Sequence, residues 1–173
     1  MKQIERQKSI GWFKLAEFVE RGEKERALGI YKLLALSIDD QAFAYQLEGD
    51  ILLAFEDTLA ISKYLQAVEY YIKQNNIMAA IGTLNHLAIL KPDHTQTWDL
   101  LSDLYLTHYW NKSIVHLRNL IHNQPISCAQ NFIEKLIAKY QQTQNVQGLD
   151  AIVNEIQKLD SSLYQFAIQV LKK

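Results

Sequence analysis

The 173-residue sequence has one cysteine, two prolines and six glycines. The single cysteine, Cys128, excludes an intrachain disulfide framework and a zinc site built on cysteine ligands. The scarcity of proline and glycine favours long regular elements with short connections. Because no stretch approaches the uninterrupted apolar run of about 18 residues that a membrane span needs, no membrane-spanning helix is predicted.

The sequence also lacks an excess of charge of one sign. Eighteen basic and nineteen acidic residues leave a formal net charge of −1. This balance argues against a nucleic-acid binder, since such proteins carry a basic stripe. The amino terminus has no apolar segment of the kind that a secretory signal needs. We therefore expect a cytoplasmic protein that binds neither nucleic acid nor membrane.

Motifs for catalysis and cofactor binding are missing. The sequence has no glycine-rich phosphate loop, no HExxH and no G-x-S-x-G. No two of its five histidines have the i,i+3 or i,i+4 spacing, so each is expected to be a surface or interhelix polar residue rather than a metal ligand. Cys128 and His122 could in principle form a thiolate pair, but a lone helical cysteine is more often a small buried apolar group. We expect no catalytic activity, no metal and no cofactor.

Apolar residues recur at three- and four-residue steps along nearly the whole chain, which is the period of amphipathic helices. Strand-like alternation is absent. Residue types that suit helix ends separate the periodic segments, among them Gly22, Asp40, Asn75, Pro92 and Pro125. The pattern predicts an all-α fold of about ten helices and no sheet.

A longer regularity has a period of about 34 residues, within the range that marks repeat architectures. Large side chains lie one such period apart, to within a single position, in the pairs Trp12 and Tyr45, Tyr64 and Trp98, and Trp98 and Ile133. Periods of this length are typical of arrays of helical hairpins, in which stacked units bury a core that no unit could bury alone.

The repeated segments resemble the tetratricopeptide repeat, a helix–turn–helix unit of about 34 residues. The motifs that carry the resemblance are Tyr45-x-x-Glu48-Gly49-x-x-Leu52 and Trp98-x-x-Leu101-Ser102-x-x-Tyr105, the latter followed by Pro125. The resemblance implies a right-handed α-solenoid of about ten antiparallel helices. In it, small residues at Ala16, Gly49 and Ser102 would let paired helices approach closely.

The resemblance treats residues 1–173 as a single domain built of successive units. The units cover approximately residues 9–40, 41–74, 61–93, 94–125 and 126–159, and a capping helix follows over 160–173. The second and third units overlap because the step from Tyr45 to Tyr64 is little more than half a period. The helix predicted over 58–74 fits both as the second helix of one unit and as the first helix of the next, so the middle of the array is expected to be irregular.

The resemblance also implies a concave groove lined by the first helix of each unit. The residues that it places there are acidic: Glu17, Asp50, Glu69, Asp99, Asp103 and Glu134. Charge of one sign confined to a groove steers a partner of the opposite sign, so these six are the candidate binding residues and the expected partner is a basic protein or peptide. The alternative is that they form an ordinary solvated helix face.

The implied function is non-catalytic protein–protein interaction, with an extended or helical segment of the partner held in the groove. Two alternatives stay open: a small dedicated chaperone of secretion substrates, and a structural homo-oligomer that associates through apolar faces of its terminal helices, such as Phe166, Val170 and Leu171. Three aromatic residues without a place in the repeat are either interface anchors or ordinary packing residues: Tyr70, Tyr109 and Trp110.

Overall fold

The computed structural model describes the backbone of residues 2–172 and the side chains of residues 10–172. Within this range the chain forms ten α-helices and no strand, which confirms the predicted all-α class. The helices are α1 (Lys2–Glu20), α2 (Lys24–Ala35), α3 (Gln41–Ala54), α4 (Leu59–Lys73), α5 (Ile77–Leu90), α6 (Thr95–His108), α7 (Ile114–Asn123), α8 (Ile126–Gln142), α9 (Val146–Leu159) and α10 (Ser161–Leu171). A 3-10 turn over Trp110–Lys112 precedes α7.

The helices fall into two compact units, Met1–Leu84 and Asn85–Lys173, with the boundary inside α5. In the first unit, α1 packs on α2, α2 on α3 and α3 on α4. Short connections between successive helices make these neighbours antiparallel. The buried core cluster of this unit consists of Leu15, Ala27, Tyr31, Leu34 and Ile51.

In the second unit, each helix from α6 to α8 packs on the next helix and on the next but one. Stacked helical hairpins produce this pattern of neighbours. The buried residues of α8 recur at three- and four-residue steps, as they must in a helix that packs along its whole length: Ala129, Phe132, Ile133, Leu136, Ile137 and Tyr140. The continuity and the right-handed sense of a solenoid stay predictions.

Four helices end in the same turn. A residue with φ between 54° and 72° follows α1, α3, α4 and α8: Gly22, Glu56, Asn75 and Gln144. After α1, for example, the Glu23 amide donates to the Phe18 carbonyl at 2.8 Å and the Gly22 amide donates to the Val19 carbonyl at 3.1 Å. This pair of hydrogen bonds defines the Schellman turn, in which a left-handed residue ends a helix. The predicted helix ends at Gly22 and Asn75 are confirmed.

The spacing of these turns agrees with the predicted repeat length. Gly22 and Glu56 are separated by one period of about 34 residues. The step from Asn75 to Gln144 is close to two periods, whereas the step from Glu56 to Asn75 is little more than half of one. The short step in the middle of the sequence is therefore present in the structure, where α4 follows one such turn and is ended by another.

The spacing between the turns at Gly22 and Glu56 places the first unit one position earlier in the sequence than the motif alignment does. It aligns Gly11, rather than Trp12, with Tyr45. Ala16 is exposed, so the close helix approach predicted for it is wrong. Gly11 makes that approach instead, because a Cβ placed on it would lie 2.8 Å from Cδ2 of Leu34.

Gly49 allows the close approach of α3 and α4 that the sequence predicts. A Cβ at this position would lie 3.1 Å from two ring carbons of Tyr64. The Tyr64 ring is buried, and its hydroxyl donates a hydrogen bond to Oδ1 of Asp50 at 2.6 Å. The ring is therefore held at both ends and has little freedom to move away.

Aspartates cap three of the helices. Asp40 Oδ1 accepts from the Ala42 amide at 3.0 Å at the start of α3, and Asp160 Oδ1 accepts from the Leu163 amide at 2.8 Å at the start of α10. Asp57 Oδ1 accepts from the Leu59 amide at 2.8 Å at the start of α4. These carboxylates satisfy amides that have no partner within the helix.

The carboxy-terminal helix α10 packs on α8 and α9. Phe166, Val170 and Leu171 are all half-buried in this position. They do not form the open apolar face that self-association through this helix would need.

Candidate functional site

A cleft of about 250 Å³ lies between α6 and α8 in the second unit, and we call it the α6–α8 cleft. Its lining residues are Thr95, Trp98, Asp99, Ser102 and Asp103 from α6, Leu120 and Gln124 from the end of α7, and Cys128, Asn131, Phe132 and Lys135 from α8. The residues from α8 are spaced as one face of a helix. The cleft is therefore a space between two facing helices.

Helix α6 keeps Asp99 and Asp103 at its surface because neighbouring positions on the helix are anchored in the core. Trp98 is buried, and its Nε1 donates to the Pro92 carbonyl at 2.9 Å. Leu101 is fully buried on the same helix. Asp99 and Asp103 are exposed and have the i,i+4 spacing of a common helix face, so they meet at one edge of the cleft.

The charges at the cleft are unpaired. Asp99, Asp103 and Lys135 are its charged lining residues. Among the residues that the structure describes, none of the three forms an ion pair or a side-chain hydrogen bond. The cleft therefore offers two free carboxylates against one free ammonium group.

The floor of the cleft rests on His116, which is fully buried in α7. Its ring stacks on Tyr105 with centroids 4.9 Å apart and meets the Phe132 ring edge-on at 4.9 Å. Its Nε2 lies 2.9 Å from Oγ of Ser102. Burial lowers the pKa of His116 to about 4, so the imidazole is neutral at pH 7.

The hydrogen bonding of His116 favours one tautomer. Among the described residues, its Nδ1 has no hydrogen-bond partner. A proton on Nδ1 would be a buried donor without an acceptor, which costs about 1–3 kcal/mol. The proton is therefore placed on Nε2, where it is donated to Ser102 Oγ, and Nδ1 is left as a buried acceptor without a partner among the described residues.

Glu134 does not line the cleft, although the repeat motif placed it in the groove. It is exposed on α8. The period given by the turns aligns Phe132 with Trp98, so the position of Asp99 is taken on α8 by the buried Ile133. An error of one position rotates a helical side chain by about 100°, which is enough to turn Glu134 away.

The three candidate residues of the first unit are exposed, and two of them are already engaged. Glu17 forms an ion pair at 2.5 Å with Arg21, which lies just after the end of α1. Asp50 accepts the hydroxyl of Tyr64 at 2.6 Å. Glu69 forms no ion pair among the described residues. A single groove shared by all six carboxylates stays a prediction.

Sequence reasoning missed the contribution of α8 to the site. Cys128, Asn131, Phe132 and Lys135 follow the spacing i, i+3, i+4, i+7, which is a visible signal of a common helix face. The repeat alignment obscured this signal, because it paired Ile133 with Trp98. That pairing predicts that a different face of α8 contacts the neighbouring helix.

The aromatic residues outside the repeat motif take part in packing. Tyr70 is half-buried against Tyr45, with ring centroids 5.3 Å apart. Trp110 is half-buried and meets Tyr140 edge-on at 4.6 Å. These contacts favour ordinary packing over a role as interface anchors.

Two other hollows offer less for recognition. One, of about 540 Å³, lies between α2 and α3, but two of its charged lining residues, Lys63 and Glu48, pair with each other at 3.1 Å. The other, of about 310 Å³, is lined by uncharged residues: Asn85, Ala88, Ile89, Pro92, Trp98, Asn119 and Asn123. The remaining charged lining residues of the larger hollow, Lys32 and Asp39, are one of each sign. The α6–α8 cleft is the stronger candidate because its unpaired charges are two carboxylates against one ammonium group beside aromatic lining residues.

Comparison of the chain with protein-family models, with curated proteins and with solved structures gives no match. Over the part of the chain that the structure describes, no three histidine, cysteine, aspartate or glutamate residues come together in a way that could hold a metal ion. Within the same range, no helix combines the length and the apolar character that crossing a membrane requires.

Proposed function

We propose that this chain is a non-catalytic, cytoplasmic interaction module that binds a segment of another protein in the α6–α8 cleft. The observation that carries the proposal is the pair of exposed, unpaired carboxylates, Asp99 and Asp103, at the edge of a concave surface with a buried aromatic floor. The resemblance to helical-repeat proteins supports it, because stacked repeats use their concave surfaces for binding.

The composition of the cleft supports a protein partner. Protein interfaces combine an apolar, often aromatic centre with a polar rim. Trp98 and Phe132 form such a centre here, and Asp99, Asn131 and Lys135 form the rim. The volume of about 250 Å³ lies below the range of roughly 300–1,000 Å³ that is typical of small-molecule sites.

The test is an affinity pull-down from the native lysate with three forms of the protein. They are the wild type, the double variant Asp99→Asn/Asp103→Asn, and the control Asp93→Asn/Asp150→Asn. The control removes the same number of charges from exposed positions in the second unit that do not line the cleft. Circular dichroism checks that all three keep their helical content.

We expect the wild type and the control to capture the same partner at about 50 mM salt and the cleft variant to lose it. Capture should weaken at about 300 mM salt, where exposed charges are screened beyond roughly 6 Å. A partner that all three forms capture equally, or no partner at either salt concentration, would contradict the proposal.

Self-association is a second candidate function, favoured by the exposed apolar side chains of the first unit. Phe13 on α1 is 76% exposed, and Leu33 and Leu36, on and just after α2, are 68% and 86% exposed. Contiguous apolar patches often mark association surfaces, and these residues lie on or next to two helices, α1 and α2, that pack together. A solution mass of 20.1 kDa by light scattering would exclude this candidate, and a multiple of that mass would support it.

A further inference from the structure

We propose that the α6–α8 cleft receives one arginine side chain of the partner segment, with its guanidinium group between Asp99 and Asp103. The proposal rests on the proposed function and adds the chemical identity of the group that is recognised. Three properties of the cleft lead to it: its size, the arrangement of its charges and the nature of its floor.

The size of the cleft fits a single long side chain. Its volume of about 250 Å³ corresponds to roughly eight water molecules at about 30 Å³ each. A complete helix, which is about 10–12 Å across with its side chains, is too large for it. The partner backbone would therefore lie across the mouth and insert one residue.

The two carboxylates favour a planar cation. Side chains at the i,i+4 spacing on a helix have Cβ atoms about 5–6 Å apart, and like charges in this arrangement repel each other. A guanidinium group carries five N–H donors in a flat fork, so it can bond to both carboxylates and remove their repulsion. A lysine ammonium group is a compact and strongly hydrated point charge, and it spans the pair less well.

The floor suits the rest of an arginine side chain. Trp98 and Phe132 line the cleft but are only 5% and 2% exposed, so they give the methylene stem an apolar contact and not an open ring face for stacking. Ser102 is already bonded to His116, and the Trp98 indole N–H is already bonded to the Pro92 carbonyl. The Trp98 N–H is therefore not free to hold water against an apolar stem, whereas the Ser102 hydroxyl, which accepts from His116, keeps its own proton to donate.

The ammonium group of Lys135 opposes the binding of a second cation in the cleft. It lines the opposite wall of the cleft and is not paired among the described residues. Its positive charge raises the free energy of a second cation nearby. We therefore expect Lys135→Met to tighten arginine binding, whereas loss of Asp99 and Asp103 abolishes it.

The test is a titration of ¹⁵N-labelled full-length protein, followed by NMR, with two small probes. N-acetyl-arginine methylamide carries the guanidinium group, and N-acetyl-citrulline methylamide has nearly the same shape without the charge. For ligands of this size we expect a Kd on the order of millimolar. The proteins compared are the wild type, Asp99→Asn/Asp103→Asn, Lys135→Met and the control Asp93→Asn/Asp150→Asn.

We expect the arginine probe to shift amide signals of α6 and α8 in the wild type and the control. The citrulline probe should not, the aspartate variant should lose the shifts, and Lys135→Met should saturate at a several-fold lower concentration. Equal shifts with both probes, shifts elsewhere, or no shifts at millimolar concentrations would overturn the arginine site.

The two proposals fail in different ways. If the pull-down captures a cleft-dependent partner but the arginine probe does not bind, the arginine assignment is wrong and the proposed function stands. If the probe binds at the cleft but no protein is captured, the arginine site stands and the proposed function is wrong.

Discussion

At the scale of single residues, His116 shows how a polar side chain can be built into a helical core. Its sequence neighbourhood identifies it as a surface or interhelix polar residue, and the structure confirms the interhelix alternative. Its full burial against Tyr105 and Phe132 could not be predicted, because that depends on how α6, α7 and α8 pack. The local sequence of an amphipathic helix does not show which polar residue becomes buried when the helices pack.

Stability of the protein should fall in mild acid because of His116. Its pKa drops from about 6.5 in the unfolded chain to about 4 in the fold, so the unfolded state takes up the proton first as the pH falls. Its contribution to stability is complete above about pH 6.5 and decreases from there towards pH 4. At about 1.4 kcal/mol per pH unit, roughly 2 kcal/mol is lost between pH 6.5 and pH 5.

Urea unfolding at pH 7 and pH 5 measures this loss. His116→Phe keeps an aromatic ring in the same surroundings without a titrating group. The loss of stability between the two pH values should be smaller in the variant by about 2 kcal/mol. An identical loss in both proteins would show that His116 does not contribute.

Gly49→Ala should destabilise the first unit by about 1–3 kcal/mol, because its Cβ would press on the Tyr64 ring. Gly29→Ala is the matched control in α2, where a Cβ meets nothing within 4 Å. In this helix interior we expect a gain of up to about 1 kcal/mol from the better helix propensity of alanine. Urea unfolding of the two variants should give changes of opposite sign, and changes of the same sign would contradict the packing described for α3 and α4.

At the scale of elements, the ends of the helices were partly predictable. Gly22 and Asn75 are residue types that readily adopt positive φ, and the sequence marks both as helix ends. Glu56 and Gln144 adopt the same conformation without that preference. Only the hydrogen bonds of the folded chain show that all four turns are alike, and only their spacing gives the repeat period.

The turns predict opposite effects for two exchanges. Gln144→Gly removes the strain of a side chain at φ 54° and should stabilise the protein by about 1 kcal/mol. Gly22→Ala introduces the same strain at φ 72° and should destabilise it by about 1 kcal/mol, although a Cβ there touches nothing within 4 Å. The midpoint of urea unfolding should move in opposite directions, and a neutral Gly22→Ala would contradict the assignment of the turn.

At the candidate site, the residues that the repeat motif predicts can be compared with those that line the cleft. Asp99 and Asp103, which the motif predicts for the groove, both line the α6–α8 cleft beside Trp98, and their role in binding stays a prediction. The motif failed on α8, where two apolar residues, Phe132 and Ile133, compete for the same slot. Both are buried, so composition could not decide between them.

At the scale of the whole molecule, charge gives little long-range guidance to a partner. Residues 1–84 contain twelve acidic and ten basic residues, and residues 85–173 contain seven and eight. Fields that steer association over a distance need a larger imbalance than this. Under the proposed function, recognition depends on local features such as the α6–α8 cleft, whose two carboxylates are not paired within the described chain.

The most direct test of partner binding in the α6–α8 cleft is photo-crosslinking in the native cells. A benzoylphenylalanine residue replaces Asn131, which lines the α6–α8 cleft and is exposed, or Asn154, which is exposed on α9 and does not line it. We predict that the Asn131 form crosslinks to one defined segment of another protein, identified by mass spectrometry, and that the Asn154 form does not. Equal crosslinking from both positions, or crosslinking from Asn154 alone, would contradict binding in the cleft.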